Sequence, residues 1–155
     1  MTAANDIAVK ILIKEEAFRA TPYYDTENIP TYGYGFVCGN KFEPLPDISI
    51  TQEEALSRLA NLVAVNEKTF IANPDLYRAY TPCNDNRKAI LLSMAHQVGI
   101  YGVCMFKQML GALEMADYDE AANQMLNSLA DRQTPARWAR NADQMRTGEL
   151  NAYYQ

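Results

Sequence analysis

The residues of this sequence that could do chemistry are acidic side chains gathered near its start. Glu15 and Glu16 close an apolar run, and Asp25 and Glu27 follow in a stretch rich in aromatic, glycine and proline residues. Glycoside hydrolysis needs such a pair: one carboxylic acid to protonate the leaving oxygen, and one carboxylate acting on the opposite face of the sugar. The two can divide the work only if their surroundings differ, burial favouring the neutral acid and solvation the ionised base. Spacing alone leaves a second reading open, because acidic residues near a helix end or a turn are commonplace and mostly just solvated.

The elements that must position these groups are legible from pattern. Apolar residues at Ile7/Ile11 and Ala8/Leu12 predict a helix from about residue 4 to 17. Ile7-Ile11-Glu15 and Ala8-Leu12-Glu16 are equally good helical rows, so periodicity does not choose between the glutamates. From Thr21 to Pro46 the composition turns to Tyr, Gly, Pro and Asn. Tyr32-Gly33-Tyr34-Gly35-Phe36 alternates like a strand, and Gly39-Asn40 offers a turn. Thr51-Gln52-Glu53-Glu54 is a capping box opening a long helix that Pro74 stops. Beyond Thr81-Pro82, short helices are expected near 86–98 and 104–116, from Asp117, and from Thr134-Pro135, where proline takes the favoured first helical position. The expected fold is α+β and mostly helical. An N-terminal lobe (about 15–50) with a small antiparallel sheet leads through a connecting helix (about 52–72) to a helical C-terminal lobe (about 73–155), which helix 4–14 joins. A groove between two lobes is a natural seat for an extended polymer.

The run from Glu16 through Asp25 and Thr31 to Gly33-Tyr34-Gly35 resembles the T-even phage lysozyme family of glycoside hydrolases. That family's pattern is Glu, eight residues, Asp, five residues, Thr, then Gly-x-Gly, and it is met without a gap. A second stretch agrees in order and register: His96-Gln97-Val98-Gly99, Asp119-Glu120-Ala121-Ala122, Gln133-Thr134-Pro135-Ala136-Arg137 and Arg146-Thr147-Gly148. The resemblance implies an endolysin-type muramidase acting on peptidoglycan glycan strands. It makes Glu16 the general acid, Asp25 the base, Thr31 a hydroxyl that holds the attacking water, and Arg137 a partner that orients Glu16. Glu15 becomes a solvated neighbour. Direct attack by water requires carboxyls roughly 6.5 to 9.5 Å apart and implies inversion at the anomeric carbon. Val37, His96, Met109 and Gln124 match glycan-contacting positions, although Met109 stands for a serine and Gln124 for an asparagine. Phe36 replaces the histidine usual after the second glycine.

Other residues read more plainly. Gly33 and Gly35 suit a tight sheet where backbone approaches closely, and not a phosphate loop. Arg132, Arg137, Arg140 and Arg146 form the one basic concentration, expected as a solvated helical face. Trp138 has core-like spacing with Met145.

At 155 residues and 48% apolar, the chain can bury a core as one domain. Three cysteines without short ligand spacing point to free thiols rather than a disulfide framework or a metal site. No cofactor is called for. A net charge of −5 argues against non-specific nucleic-acid binding. The N-terminal apolar run Ile11 to Ile13 sits in a segment cut by Lys10 and Lys14, so neither a leader nor stable membrane insertion is expected. A monomer is expected in the host cytoplasm. Reaching the wall would then take release through a holin-type pore, or carriage by a virion. The competing readings are a glycan-binding or virion structural protein on the same fold, and a lytic transglycosylase, which can dispense with Asp25.

Overall fold

A computed structural model describes residues 1–155. Helix α1 (Ala3–Glu16) begins at Thr2, whose side chain accepts from the Asn5 amide, and it buries Ala4, Ala8, Ile11 and Leu12. Its last residue is Glu16, so the candidate acid projects from a helix end. Three antiparallel strands follow in the order β1 (Arg19–Tyr24), β2 (Pro30–Gly33), β3 (Phe36–Val37). Tyr23 pairs with Thr31 and Tyr32 with Phe36.

The alternating run at 32–36 is not one strand. Gly33 and Gly35 have φ of +63° and +74°, and the chain reverses at Tyr34-Gly35. Two residues on the left-handed side end the ladder, and Tyr34 turns inward against Phe18, with ring centroids 5.6 Å apart. Alternation reports which side chains are buried; it does not report where the backbone turns.

Helix α2 (Gln52–Ala72) starts at Thr51 with both halves of the capping box formed. One face buries Ala55, Leu59, Val63 and Phe70. Asn73 then caps α3 (Pro74–Tyr80) through hydrogen bonds from the Asp75 and Leu76 amides. Helix α4 (Asp85–Cys104) is the buried spine, with Ala89 through Ala95 at 4% exposure or less. It leaves helical geometry at Gly99 (φ 79°, ψ 163°) and resumes, where the sequence pattern predicts an end near residue 98. No single helix is long and apolar enough to cross a membrane.

Helices α5 (Lys107–Glu114), α6 (Tyr118–Leu126), α7 (Leu129–Gln133) and α8 (Pro135–Thr147) complete the helical lobe, and a 3-10 turn (Ala152–Tyr154) returns to α1. Trp138 is fully buried and stacks on Phe106 at 5.6 Å with rings 5° from parallel, in keeping with the packing role its spacing predicts. The fold is mostly helical with a small three-stranded antiparallel sheet, as expected from the sequence. One buried carboxylate ties the start of α1 to the helical lobe: Glu67 of α2 accepts from the Thr2 hydroxyl at 2.9 Å and from the Tyr80 hydroxyl. Burial, together with that carboxylate, pushes the Tyr80 phenol well above its usual range.

Candidate active site

A cleft of about 520 Å³ lies between the sheet and the helices, and Glu16, Asp25, Thr31, Val37, His96 and Arg137 all line it. Glu16 enters from the end of α1. Its Oε1 accepts from Arg137 Nη1 at 2.7 Å, with side-chain exposures of 17% and 8%, and Oε2 has no hydrogen-bond partner. Arg137 comes from the first turn of α8, and its other terminal nitrogen reaches the buried Ser93 hydroxyl at 3.4 Å. Removing either member of this pair would strand a charge out of water, so the two hold one another in register.

The sheet side brings Asp25 and Thr31 together through one peptide unit. Asp25 Oδ1 accepts from the Glu27 and Ile29 amides at 2.8 and 2.9 Å, and the Asp25 amide donates to the Ile29 carbonyl. That carbonyl also accepts from the Thr31 hydroxyl at 2.9 Å. One carboxylate oxygen of Asp25 is therefore spent on fixing the turn, leaving the other without a protein donor. Thr31 does not bond Asp25 directly. Its hydroxyl proton is committed to Ile29, so its lone pairs are what it can offer to a water.

Glu15 is not a solvated neighbour. Its side chain is only 4% exposed, with a two-point ion pair to Arg140 at 2.7 and 3.0 Å and a 2.6 Å hydrogen bond from the Tyr154 hydroxyl. Burial pushes its carboxyl up. The hydrogen bonds from Arg140 and Tyr154, with the charges of Arg137 and Arg140, outweigh that and hold it below the usual 4.5. The correction extends to the arginines: Arg137 and Arg140 are bound in ion pairs, and only Arg132 and Arg146 are exposed. Two Glu–Arg pairs thus run in parallel from α1 to α8. The Glu16–Arg137 pair is the one the family resemblance implied, whereas the Glu15–Arg140 pair was missed, because partners 125 residues apart leave no local trace.

Two further residues escaped the sequence reading as site members. Gly35 lies against the acid: a Cβ there would come 2.6 Å from Glu16 Oε2. Tyr23 lines the same cleft, two positions before Asp25 on β1 and opposite Thr31. Burial and the charges of Glu16 and Asp25 push its phenol up, with Arg19 opposing, so the cleft carries a neutral phenol there.

Of the expected glycan contacts, Val37 is exposed at the cleft and His96 is half-buried in its wall. Met109 and Gln124 are not brought to it. Both border a second cavity of about 460 Å³ near α5, α6 and α7. Met109 is fully buried in the apolar core and lies away from the cleft, against the contact expected of it; a thioether in place of a serine packs there as a core residue. Gln124 donates to Glu120 at 2.7 Å.

With this geometry, the class of protein is settled by comparison: the chain belongs to the phage lysozyme family, whose model matches residues 13–142. Membership gives it, in general terms, a lysozyme's glycosidase action on peptidoglycan. Among its relatives, Probable T4-type lysozyme 1 of Dictyostelium discoideum is 29% identical over 94% of this chain and 98% of its own length. Probable T4-type lysozyme 2 of the same organism is 35% identical over 70% of this chain and 62% of its own. The pre-baseplate central spike protein Gp5 of Enterobacteria phage T4 is 27% identical over 93% of this chain, which spans 28% of that longer protein.

Proposed function

We propose that the chain is a muramidase that hydrolyses the β-1,4 bond between N-acetylmuramic acid and N-acetylglucosamine, with inversion at the anomeric carbon. The observation that carries this reading is that Glu16 and Asp25 line one cleft in contrasting settings. Glu16 is largely shielded and keyed to Arg137, and Asp25 sits on an open turn. Because Oε1 accepts from Arg137, the catalytic proton belongs on Oε2, from which it passes to the glycosidic oxygen as the C–O bond breaks. Asp25 takes a proton from a water that attacks the anomeric carbon from the other face, and Thr31 accepts a hydrogen bond from that water. Val37 contacts the glycan. After one turnover Glu16 is ionised and Asp25 protonated, and exchange with solvent restores both.

The test is loss of turbidity by outer-membrane-permeabilised Gram-negative cells. Wild type clears them and Glu16→Gln does not; clearing by both proteins, or by neither, defeats the assignment. Asp25→Ala separates hydrolysis from transglycosylation, since only a hydrolase loses its activity with that side chain. The anomer of the first product, followed by NMR, checks inversion, and an early β-product would sink it.

The biological setting has two versions. In one the enzyme acts as an endolysin, held in the host cytoplasm until a holin-type pore gives it the wall. The likeness to a spike protein of a phage baseplate favours the second, in which a virion carries the enzyme to the wall. A non-catalytic structural role is disfavoured by the intact Glu16, Asp25 and Thr31.

A further inference from the structure

We propose that His96 is a positioning residue for Glu16, acting as a clasp between the helical lobe and the hairpin turn against which the acid rests. This rests on the muramidase reading for its consequence, though not for its geometry. His96 Nε2 lies 2.8 Å from the Tyr34 carbonyl oxygen. A carbonyl can only accept, so the proton sits on Nε2 and the tautomer is fixed. Among the side-chain and backbone hydrogen bonds of the protein, it is the one by which α4 holds the sheet.

The next residue along the turn is Gly35, where the backbone lies so near Glu16 that a Cβ would come 2.6 Å from Oε2. Glu16 is thus gripped from two sides: Arg137 of α8 fixes Oε1, and the turn stops Oε2. The turn in turn needs support. Phe36 supplies part of it, meeting the His96 ring edge-on at 6.3 Å on one side and Arg58 of α2 at 4.5 Å on the other. Arg58 also reaches the Tyr32 hydroxyl at 2.7 Å. Release of the His96 bond would leave the turn held by Arg58 and Gln52 of α2 and by the Tyr34 ring against Phe18, with no hydrogen bond to α4 to keep it close to the acid.

The charged groups facing the ring are Glu16 from α1 and Arg137 from α8. Burial is the largest influence and, with Arg137, favours the neutral ring against Glu16 and the Tyr34 carbonyl; the balance lies below the usual 6.5. The clasp is accordingly a neutral donor at physiological pH.

Two variants and one spectrum test this. His96→Gln places its amide nitrogen close to where Nε2 stands, and His96→Phe keeps an aromatic ring against Phe36 while losing the donor. On soluble peptidoglycan oligomers, His96→Phe should lose about tenfold to a hundredfold in kcat, the range expected of an acid displaced by a fraction of an ångström to one ångström. KM should stay within about twofold, since no glycan contact is lost, and His96→Gln should recover most of the rate. A defect in KM alone would make His96 a glycan contact and overturn the proposal. So would equal kcat in all three proteins, or a glutamine variant as slow as the phenylalanine one. If His96→Phe does not fold, wild type still decides, because His96 is the only histidine and its ring nitrogens are unambiguous in a 15N spectrum. A neutral Nε2–H ring titrating below 6.5, shifted lower still in Glu16→Gln, supports the clasp; an Nδ1–H tautomer refutes it. An inactive wild type would sink the muramidase reading while leaving the spectrum to judge the clasp.

Discussion

At the scale of single residues, contact with the acid depends on the smallest side chain in the site. Gly35 combines a left-handed backbone with a place so close to Glu16 that a Cβ would stand 2.6 Å from Oε2, two demands that only glycine meets together. Gly35→Ala should therefore cost roughly 1 to 2 kcal/mol in a denaturant titration for the positive φ alone. It should lose about tenfold or more in clearing rate, because the new methyl displaces the acid by a fraction of an ångström. A variant as active as wild type would show that Oε2 does not need this wall. Glu15 teaches a different lesson at the same scale. Two adjacent glutamates on equal helical rows line one cleft with unlike fates, Glu16 keeping one oxygen free and Glu15 having both taken up by Arg140 and Tyr154.

At the scale of elements, what decides the site is where helices and strands stop. Helix α1 ends on the acid, and Ala17 leaves it with φ at 42°. Pro135 opens α8 so that Arg137 falls in its first turn, aimed back at α1. Gly99 interrupts α4 three residues after His96, in a region of φ/ψ space that is almost glycine's alone. A Cβ at that position meets nothing within 4 Å, so strain and crowding can be told apart there. Gly99→Ala should lose about 1 to 3 kcal/mol of stability by urea unfolding, purely from the backbone. An unchanged midpoint would mean that α4 can run straight through residue 99. Cap and proline signals for α2 and α8 were plain in the sequence because they are local chemistry: Thr51 bonds the Glu54 amide, and proline lacks an amide that the first turn would leave idle. The reversal at Tyr34-Gly35 was not, since buried alternating side chains look the same on a strand and on a turn that folds inward.

At the scale of the whole molecule, both lobes are tied by groups that titrate, and the sign of each effect follows from its displacement. His96 is held below 6.5, so the folded state resists its protonation. Its contribution is complete above 6.5 and is lost as pH falls from there toward the folded value. Glu15 is held below 4.5, so its contribution is complete above 4.5 and is lost only as pH falls further. Urea midpoints measured from neutral pH downward should show an upper step that disappears in His96→Phe and a lower one that disappears in Glu15→Gln. At neutral pH the glutamine variant should also be about 2 kcal/mol less stable. That is less than the loss of a fully buried ion pair, because Arg140 keeps a quarter of its side chain in water. A pH profile that both variants leave unaltered would remove these two groups from the account of acid stability.

Sequence by itself determined what depends on near neighbours and on residue type. The helix starts, the ungapped register of Glu16, Asp25 and Thr31, and the two-lobed, mostly helical plan all rest on interactions within a few residues or on a pattern with fixed spacing. Tertiary structure alone decided that Glu15 is sealed and not solvated, why Gly35 must be glycine, that Arg140 is spent in an ion pair, and that Met109 belongs to the core. The first and third of those outcomes turn on the pair Glu15–Arg140, whose members lie 125 residues apart and meet only once α8 is packed against α1. No period or cap encodes that meeting. It follows from which surfaces the folded chain excludes from water.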